Sequence, residues 1–265
     1  MALGELTTHS TALPVQFEVP LQNPSPYGLF ASTSWTESTG PSRFLLSGVD
    51  IRTHNFGGEE AFGVWDAGWC VSPDDLGPDD LKDGTRPDNI GTFDPMTVWA
   101  YDECDLTAPS QSEVRTRVAQ NLRLLEPIAA EREFSARLLA DAPALSVAIP
   151  SLVAWVGAIE SEFAKTGTVG QIHAGAQWAA QAKWFGLIER NGAKLTSPLG
   201  HEWVFGGGYV DGLGNNIVAT SPTYGWRDQA AVRDTMKTSE NVYAAVAERS
   251  LVVGYEAAVA KIATA

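Results

Sequence analysis

The sequence has no run of about 18 apolar residues, which excludes a membrane-spanning helix of ordinary length. The most apolar candidate, from Val242 to Ala265, is interrupted by Glu248, Arg249, Glu256 and Lys261. The opening MALGELTTHS has neither a basic segment nor an apolar core, so it does not read as a secretion signal. The expectation is a chain with no membrane partner, made in the cytoplasm and used there or built into something assembled there. Cations are scarce: 18 Lys plus Arg stand against 32 Asp plus Glu, a formal net charge of −14. Such a chain is not drawn to nucleic-acid phosphates or anionic membranes, although it can face nucleic acid without sticking to it. The two cysteines, Cys70 and Cys104, are too few for a disulfide framework and too widely spaced for a zinc clip. One bridge is open to them, but two buried thiols are the expected state.

Recognisable chemistry is equally sparse. There is no GxSxG, no HExxH and no GxxxxGK[ST]. The glycines of FGGGYVDGLGNN (205–216) lie in no strand–GxGxxG–helix unit and read as a mobile loop at a domain edge. Asp79, Asp80, Asp83 and Asp88 do not follow the order of a calcium loop, and no Glu closes one, so a solvated acidic loop is expected. His173, one of four histidines, lacks a nucleophile on a tight turn and reads as a packed residue at a strand end. Acidic pairs such as Glu59-Glu60 and Glu131/Glu133, with nine tryptophans, could suggest work on carbohydrate, but repeated β/α units are missing. No catalytic, cofactor-binding or metal-binding residue is expected.

What the chain does have is one long helical signal, Ser110 to Asp141. Ser110 and Glu113 have capping-box spacing. Val114, Val118, Leu122, Leu125, Ala129, Phe134 and Leu138 make an apolar stripe, with Arg115, Arg117, Arg123, Glu126, Glu131, Arg132 and Glu133 mostly on the other faces. Pro127 should kink the rod without ending it. The run would reach roughly 45 Å, long for a packed helix of a compact enzyme. The bland alternative is two helices, 111–126 and 128–141.

Before this helix, residues 1–28 read as an extended arm or a disordered tail, with VQFEV (15–19) as an edge strand. LFASTSWTE and FLLSGVDIRTHNF (29–56) read as strands. Residues 57–106 hold thirteen Asp and Glu against Lys82 and Arg86, so most of the excess negative charge sits there. VWDAGWCV and MTVWAYDEC read as the two strands of a long extension with an acidic, turn-rich tip. After the helix, 151–167 is an amphipathic helix capped by Ser151 and ended by Gly167. GQIHA (170–174) reads as a strand and 175–186 as a helix. LIERNGAKLTS (187–197) reads as a hairpin with a type I′ turn at Asn191-Gly192. HEWVFGGGYV (201–210) reads as a strand entering a glycine-rich bend, NIVATSP (216–222) as a further strand, and 241–262 as one or two long strands. The class is α+β.

Several segments together resemble the major capsid proteins of actinobacterial tailed phages, of the Hong Kong 97 type. GQIHAGAQWAAQAKWFGLIERNGAKLTSPLGHEWVFGGGY carries a strand ending I-H-A, a helix, a hairpin, Ser197-Pro198-Leu199-Gly200, and a strand reaching Gly206 to Tyr209. SENVYAAVAERSLVVGYEAAVAKI, with Ala247, Glu248 and Arg249, is similar to the closing strands of that fold, and LRLLEPIAAEREF to its spine helix. The likeness covers about residues 110–263; the first 109 match in organisation only. It implies an N-terminal arm and first strands (1–50), an extended β E-loop (51–108), a P-domain with a long spine helix (109–145), an A-domain (146–229) and closing P-domain strands (230–265).

The implied function is structural: a major capsid protein whose copies form pentamers and hexamers of an icosahedral head around double-stranded DNA, without sequence-specific binding. Scaffolding, portal and decoration proteins are the implied partners, and no cofactor is. Some relatives join subunits by a Lys–Asn isopeptide bond, for which Lys82 and Asn241, with Glu248 as the acid, are the candidates here. The alternatives are an encapsulin-like shell around a cargo enzyme, a soluble α/β hydrolase, and a tail or decoration protein.

Overall fold

A computed structural model describes residues 17–40, 43–148 and 150–263. In chain order the elements are α1 (Leu29–Ser32), β1 (Ser34–Glu37), α2 (Phe44–Ser47), β2 (Val49–Asp50), β3 (Thr92–Phe93), β4 (Met96–Cys104), α3 (Ala108–Asp141) and α4 (Leu152–Thr166). They continue with β5 (Gln171–Gly175), α5 (Trp178–Trp184), β6 (Glu189–Asn191), β7 (Lys194–Thr196), β8 (Glu202–Gly206), α6 (Gly208–Gly212) and β9 (Ile217–Thr220). The last four are β10 (Thr223–Arg227), β11 (Ala231–Lys237), β12 (Val242–Tyr255) and β13 (Ala258–Ile262).

Helix α3 runs unbroken through Pro127 for 34 residues, roughly 50 Å, so the single rod is the observed form. Its start differs from the expected one. Thr107 is the residue before the first turn and Pro109 sits inside that turn, where its missing N–H costs nothing. Ser110 is therefore already helical and makes no capping box. Val114, Val118, Leu122, Phe134 and Leu138 are buried as the periodicity requires, but Leu125 is exposed. Glu126 and Glu131, expected on outer faces, are buried.

Two sheets flank this rod. In the first, β12 is central: β4 pairs along one edge from Tyr243 to Leu251, while β11 and β10 share the other edge in succession. β1 runs parallel to β10 on its far side. Val114, Val118 and Leu122 of α3 pack on Tyr243, Ala245 and Ala247 of this sheet. The second sheet has the order β13-β9-β5-β8-β7-β6. Its central strands β9, β5 and β8 are buried on both faces, and the alternation sorts their side chains cleanly. Ile172, Trp203, Phe205, Ile217 and Ala219 meet Trp155, Val156, Ile159 and Phe163 of α4. Val204 and Val218 point the other way, into a cluster with Phe134 and Leu138 of α3. Each buried α4 side chain contributes about 1.5–3 kcal/mol of apolar burial. Helix α4 is capped by the Ser151 hydroxyl, which accepts from the Ala154 N–H at 3.3 Å, and ends at left-handed Gly167.

Several local expectations fail. Phe17–Val19 form no strand, and positions 15 and 16 lie outside the described residues. LFAS and FLLS are single helical turns, and the strands expected there shrink to β1 and β2. VWDAGWCV is no strand at all: Gly, Pro and Asp break residues 51–91 into short turns beginning at Glu59, Pro73 and Pro78. Only the two-residue β2–β3 pair closes the extension at its base. The β6–β7 loop is Gly192-Ala193, and only Gly192 has positive φ, the II′ pattern rather than I′. β10 and β11 were not anticipated.

Candidate interaction surface

The acidic extension leaves the body between two clamps. On the outgoing limb, the Glu256 carboxylate accepts the backbone N–H groups of His54 and Asn55, and the Asn55 side-chain amide at 2.8 Å. Burial pushes this carboxyl up, but the donors from Asn55 and His54 outweigh it and hold it below the usual carboxylate range. On the returning limb, Arg137 of α3 donates to the carbonyls of Thr92 (2.8 Å) and Ile90 (2.9 Å) and to Asp141 (2.5 Å), and lies over the Phe93 ring. Asp141 also accepts the Tyr255 hydroxyl at 2.9 Å, so the clamp is tied to β12.

Beyond these clamps the extension, Phe56 apart, is largely solvent-exposed. Phe62, Val64, Trp69 and Leu81 are uncovered, and Trp69 is as exposed as a free residue. Asp74, Asp75, Asp79, Asp83 and Asp88 sit among them with no cation in salt-bridge reach among the described residues. Large apolar side chains on a segment this polar are costly surface in an isolated chain. The outer edge of β4 is also open among the described residues, with Trp99 and Tyr101 exposed. The arm lies along α3: the Gln22 carbonyl accepts from Gln120 (2.7 Å) and Asn23 from Arg123 (2.6 Å), while Phe17, Val19 and Leu21 stay exposed.

Behind this surface, α3 carries two buried carboxylates. Glu131 has no cation partner among the described residues. Its Oε1 accepts the Leu29 N–H at 2.9 Å and its Oε2 the Gly208 N–H at 2.8 Å. Burial raises this carboxyl above its ordinary value, against the pull of those amides. The glycine-rich segment is thus no mobile edge loop. It is strand β8 and helix α6 pressed onto α3, close enough that a Cβ on Gly208 would strike the Ile128 carbonyl oxygen. Glu126 pairs with Arg249 at 3.1 Å, yet burial still raises it.

His173 is fully buried in β5, held by the Tyr209 hydroxyl at 3.0 Å and the Thr220 hydroxyl at 2.9 Å. Burial drives its pKa down to about 3, so it is a neutral packed residue, as its sequence context indicates. Cys70 and Cys104 are free and exposed, against the expectation of buried thiols, because both fall on exposed stretches of the extension and β4. No cluster of three or more metal-ligating side chains forms among the described residues. Lys82 lies over the Trp65 ring at 4.1 Å. Asn241 takes a left-handed conformation just before β12, and Glu248 pairs with Arg233 further along that strand. At about 3.3 Å per residue the two are roughly 20 Å apart along one strand, and one copy does not bring them together with Lys82.

Arg137 and Glu256 were not singled out by sequence reasoning. The buried glutamates did leave a signal: Glu126 falls four residues after Leu122 and four before Ala130, on the buried face itself.

The fold is the Hong Kong 97 type, the fold of the capsid and encapsulin subunits that the chain matches. The capsid of a native GTA particle matches with a TM-score of 0.58 at 10% identity, covering 98% of this chain and 98% of that one. A protein of Mycobacterium phage Che8 matches at 0.50 with 12% identity over 96% and 97%. The encapsulin of the holo-SrpI complex of Synechococcus elongatus PCC 7942 matches at 0.54 with 12% identity over 100% and 96%. No protein-family model and no curated protein matches the chain.

Proposed function

We propose that the chain is the major subunit of a bacteriophage head, whose copies form pentamers and hexamers of an icosahedral shell around double-stranded DNA. The observation that carries this reading is the end-to-end correspondence with a capsid subunit, 98% of both chains. It accounts for features with no use in a lone protein: the clamped extension with its uncovered Trp69, the exposed arm, and the open β4 edge. An excess of 14 negative charges suits an enclosure that must hold DNA without binding it. The role is structural rather than enzymic, in a virion assembled in the host cytoplasm. The arm and first strands, E-loop, spine helix, A-domain and closing strands follow the boundaries 1–50, 51–108, 109–145, 146–229 and 230–265. Scaffolding, portal and decoration proteins are its expected partners.

Under this reading Lys82 and Asn241 meet only between copies, with Glu248 as the acid, to form an isopeptide bond with loss of ammonia. A single-chain band from denatured particles would sink that cross-link while leaving the shell reading untouched. The encapsulin correspondence favours one second reading, a shell around a cargo protein. Particles isolated from cells separate the two: nuclease-resistant double-stranded DNA supports the phage head, and a single enclosed polypeptide in its place overturns it.

A further inference from the structure

A cavity of about 460 Å³ lies between the arm, the middle of α3 and the end of β10. Tyr27 and Phe30 wall it from the arm, and Pro127 from the helix. Its charged lining is Arg123, Glu126, Arg227 and Arg249: three guanidiniums and one carboxylate. Arg249 uses Nη1 on Glu126 at 3.1 Å, and its Nε–H is buried without an acceptor. Arg227 uses Nη2 on Glu37 at 2.7 Å, stacks on Trp35, and also keeps a buried Nε–H without an acceptor. The register Arg227↔Leu251 puts Arg227 and Arg249 on the same face as diagonal neighbours. The remaining carboxylates nearby are engaged elsewhere: Glu37 holds the outer side of Arg227, and Asp228 accepts the Ser250 N–H at 2.8 Å.

Three guanidiniums against one carboxylate leave this cavity with an excess of positive charge in a chain whose net charge is −14, and that balance favours an anion. Guanidinium forks match the planar edge of an oxyanion. We propose that this cavity is a binding site for an oxyanion of carboxylate or phosphate size, which pins the arm to α3 and β10. Two sources fit that chemistry: a free phosphate-type ion, or an aspartate of the acidic extension of a second copy. The site itself stands on the cavity alone and does not depend on the shell reading.

The test is a titration of the dissociated full-length chain with inorganic phosphate at constant ionic strength, with chloride as control. Calorimetry reads binding, and the rate of proteolysis within residues 17–28 reads pinning of the arm. Phosphate is expected to bind, to slow cleavage of the arm and to raise the melting temperature by a few degrees near 100-fold excess over Kd. Arg227→Gln is expected to weaken binding at least about tenfold. Arg123→Gln, at an exposed position where folding is not at stake, is expected to weaken it in the same direction. Phosphate no better than chloride, or binding unchanged in Arg123→Gln and in any Arg227→Gln that folds, overturns the site. In assembling protein, suppression of particles by phosphate assigns the natural occupant to a second copy's carboxylate. Particles that form equally well with phosphate bound assign it to the free ion.

Discussion

The Oε2 atom of Glu131 on the long helix accepts the Gly208 N–H at 2.8 Å, with no cation to balance its charge. Through Oε1 the same carboxylate holds Leu29, so one side chain fastens the end of the arm and the glycine-rich turn to the helix. Glu131→Gln places an NH2 donor against one of two N–H donors. It should lower stability by about 1–3 kcal/mol in denaturant titrations of the dissociated chain. Because burial raises the folded-state pKa, the folded chain binds this proton first. Its contribution therefore improves as pH falls from the raised value toward the ordinary carboxylate value, and is lost as pH rises. The deficit of Glu131→Gln against wild type should widen as pH falls through that window. A constant deficit would mean that Glu131 does not titrate there.

Glu256 works in the opposite direction. Its donors hold the folded-state pKa below the ordinary value, so its stabilisation is present at neutral pH and fades as pH falls through that lowered value. Glu256→Ala leaves the His54 and Asn55 amides without their acceptor, and should free the outgoing limb of the extension. Limited proteolysis should cut within 56–90 several-fold faster than in wild type at pH 7, with the difference shrinking under acid. Equal cleavage at neutral pH would show that the clamp does not restrain the limb.

Gly207 and Gly208 are neighbours with opposite expected outcomes. A methyl at Gly208 would strike the Ile128 carbonyl and come within 2.7 Å of the Glu131 Cβ, while one at Gly207 meets nothing closer than Ile128 Cγ1 at 3.6 Å. Gly208→Ala should cost about 1–3 kcal/mol or more, as overpacking does, and Gly207→Ala well under that. Thermal melts of the two variants side by side check the ranking.

The rod, α4, β5, the β6–β7 hairpin and the β12–β13 ending were legible in the sequence because their signals are local. Apolar steps of three and four residues, a Ser cap, a left-handed Gly and an alternating run each fix their own neighbourhood. The extension was misread because VWDAGWCV has strand-like composition, but a strand also needs a partner, and no described segment of the same copy supplies one. The surface and its clamps were the least legible. Arg137 reaches Ile90 and Thr92 across more than forty positions, and Glu256 reaches His54 across about two hundred, separations that no periodicity encodes. The glycine-rich segment was misread for a related reason: glycine marks either freedom or close approach, and only the position of α3 decides which.

Trp69 separates folding from assembly. Since its side chain is wholly exposed in the single copy, Trp69→Ser should leave the folding stability of the dissociated chain within about 0.5 kcal/mol of wild type. If the extension is covered by another copy, the same change should sharply reduce particle yield. Unchanged yield would remove the extension from the contact.

The most direct measurement is negative-stain electron microscopy of the purified chain alongside size-exclusion chromatography. The account predicts closed shells, or rings of five and six copies, eluting far ahead of a 28.3 kDa monomer. A compact monomer that stays so across concentration, crowding and co-expression with a scaffolding partner would contradict it.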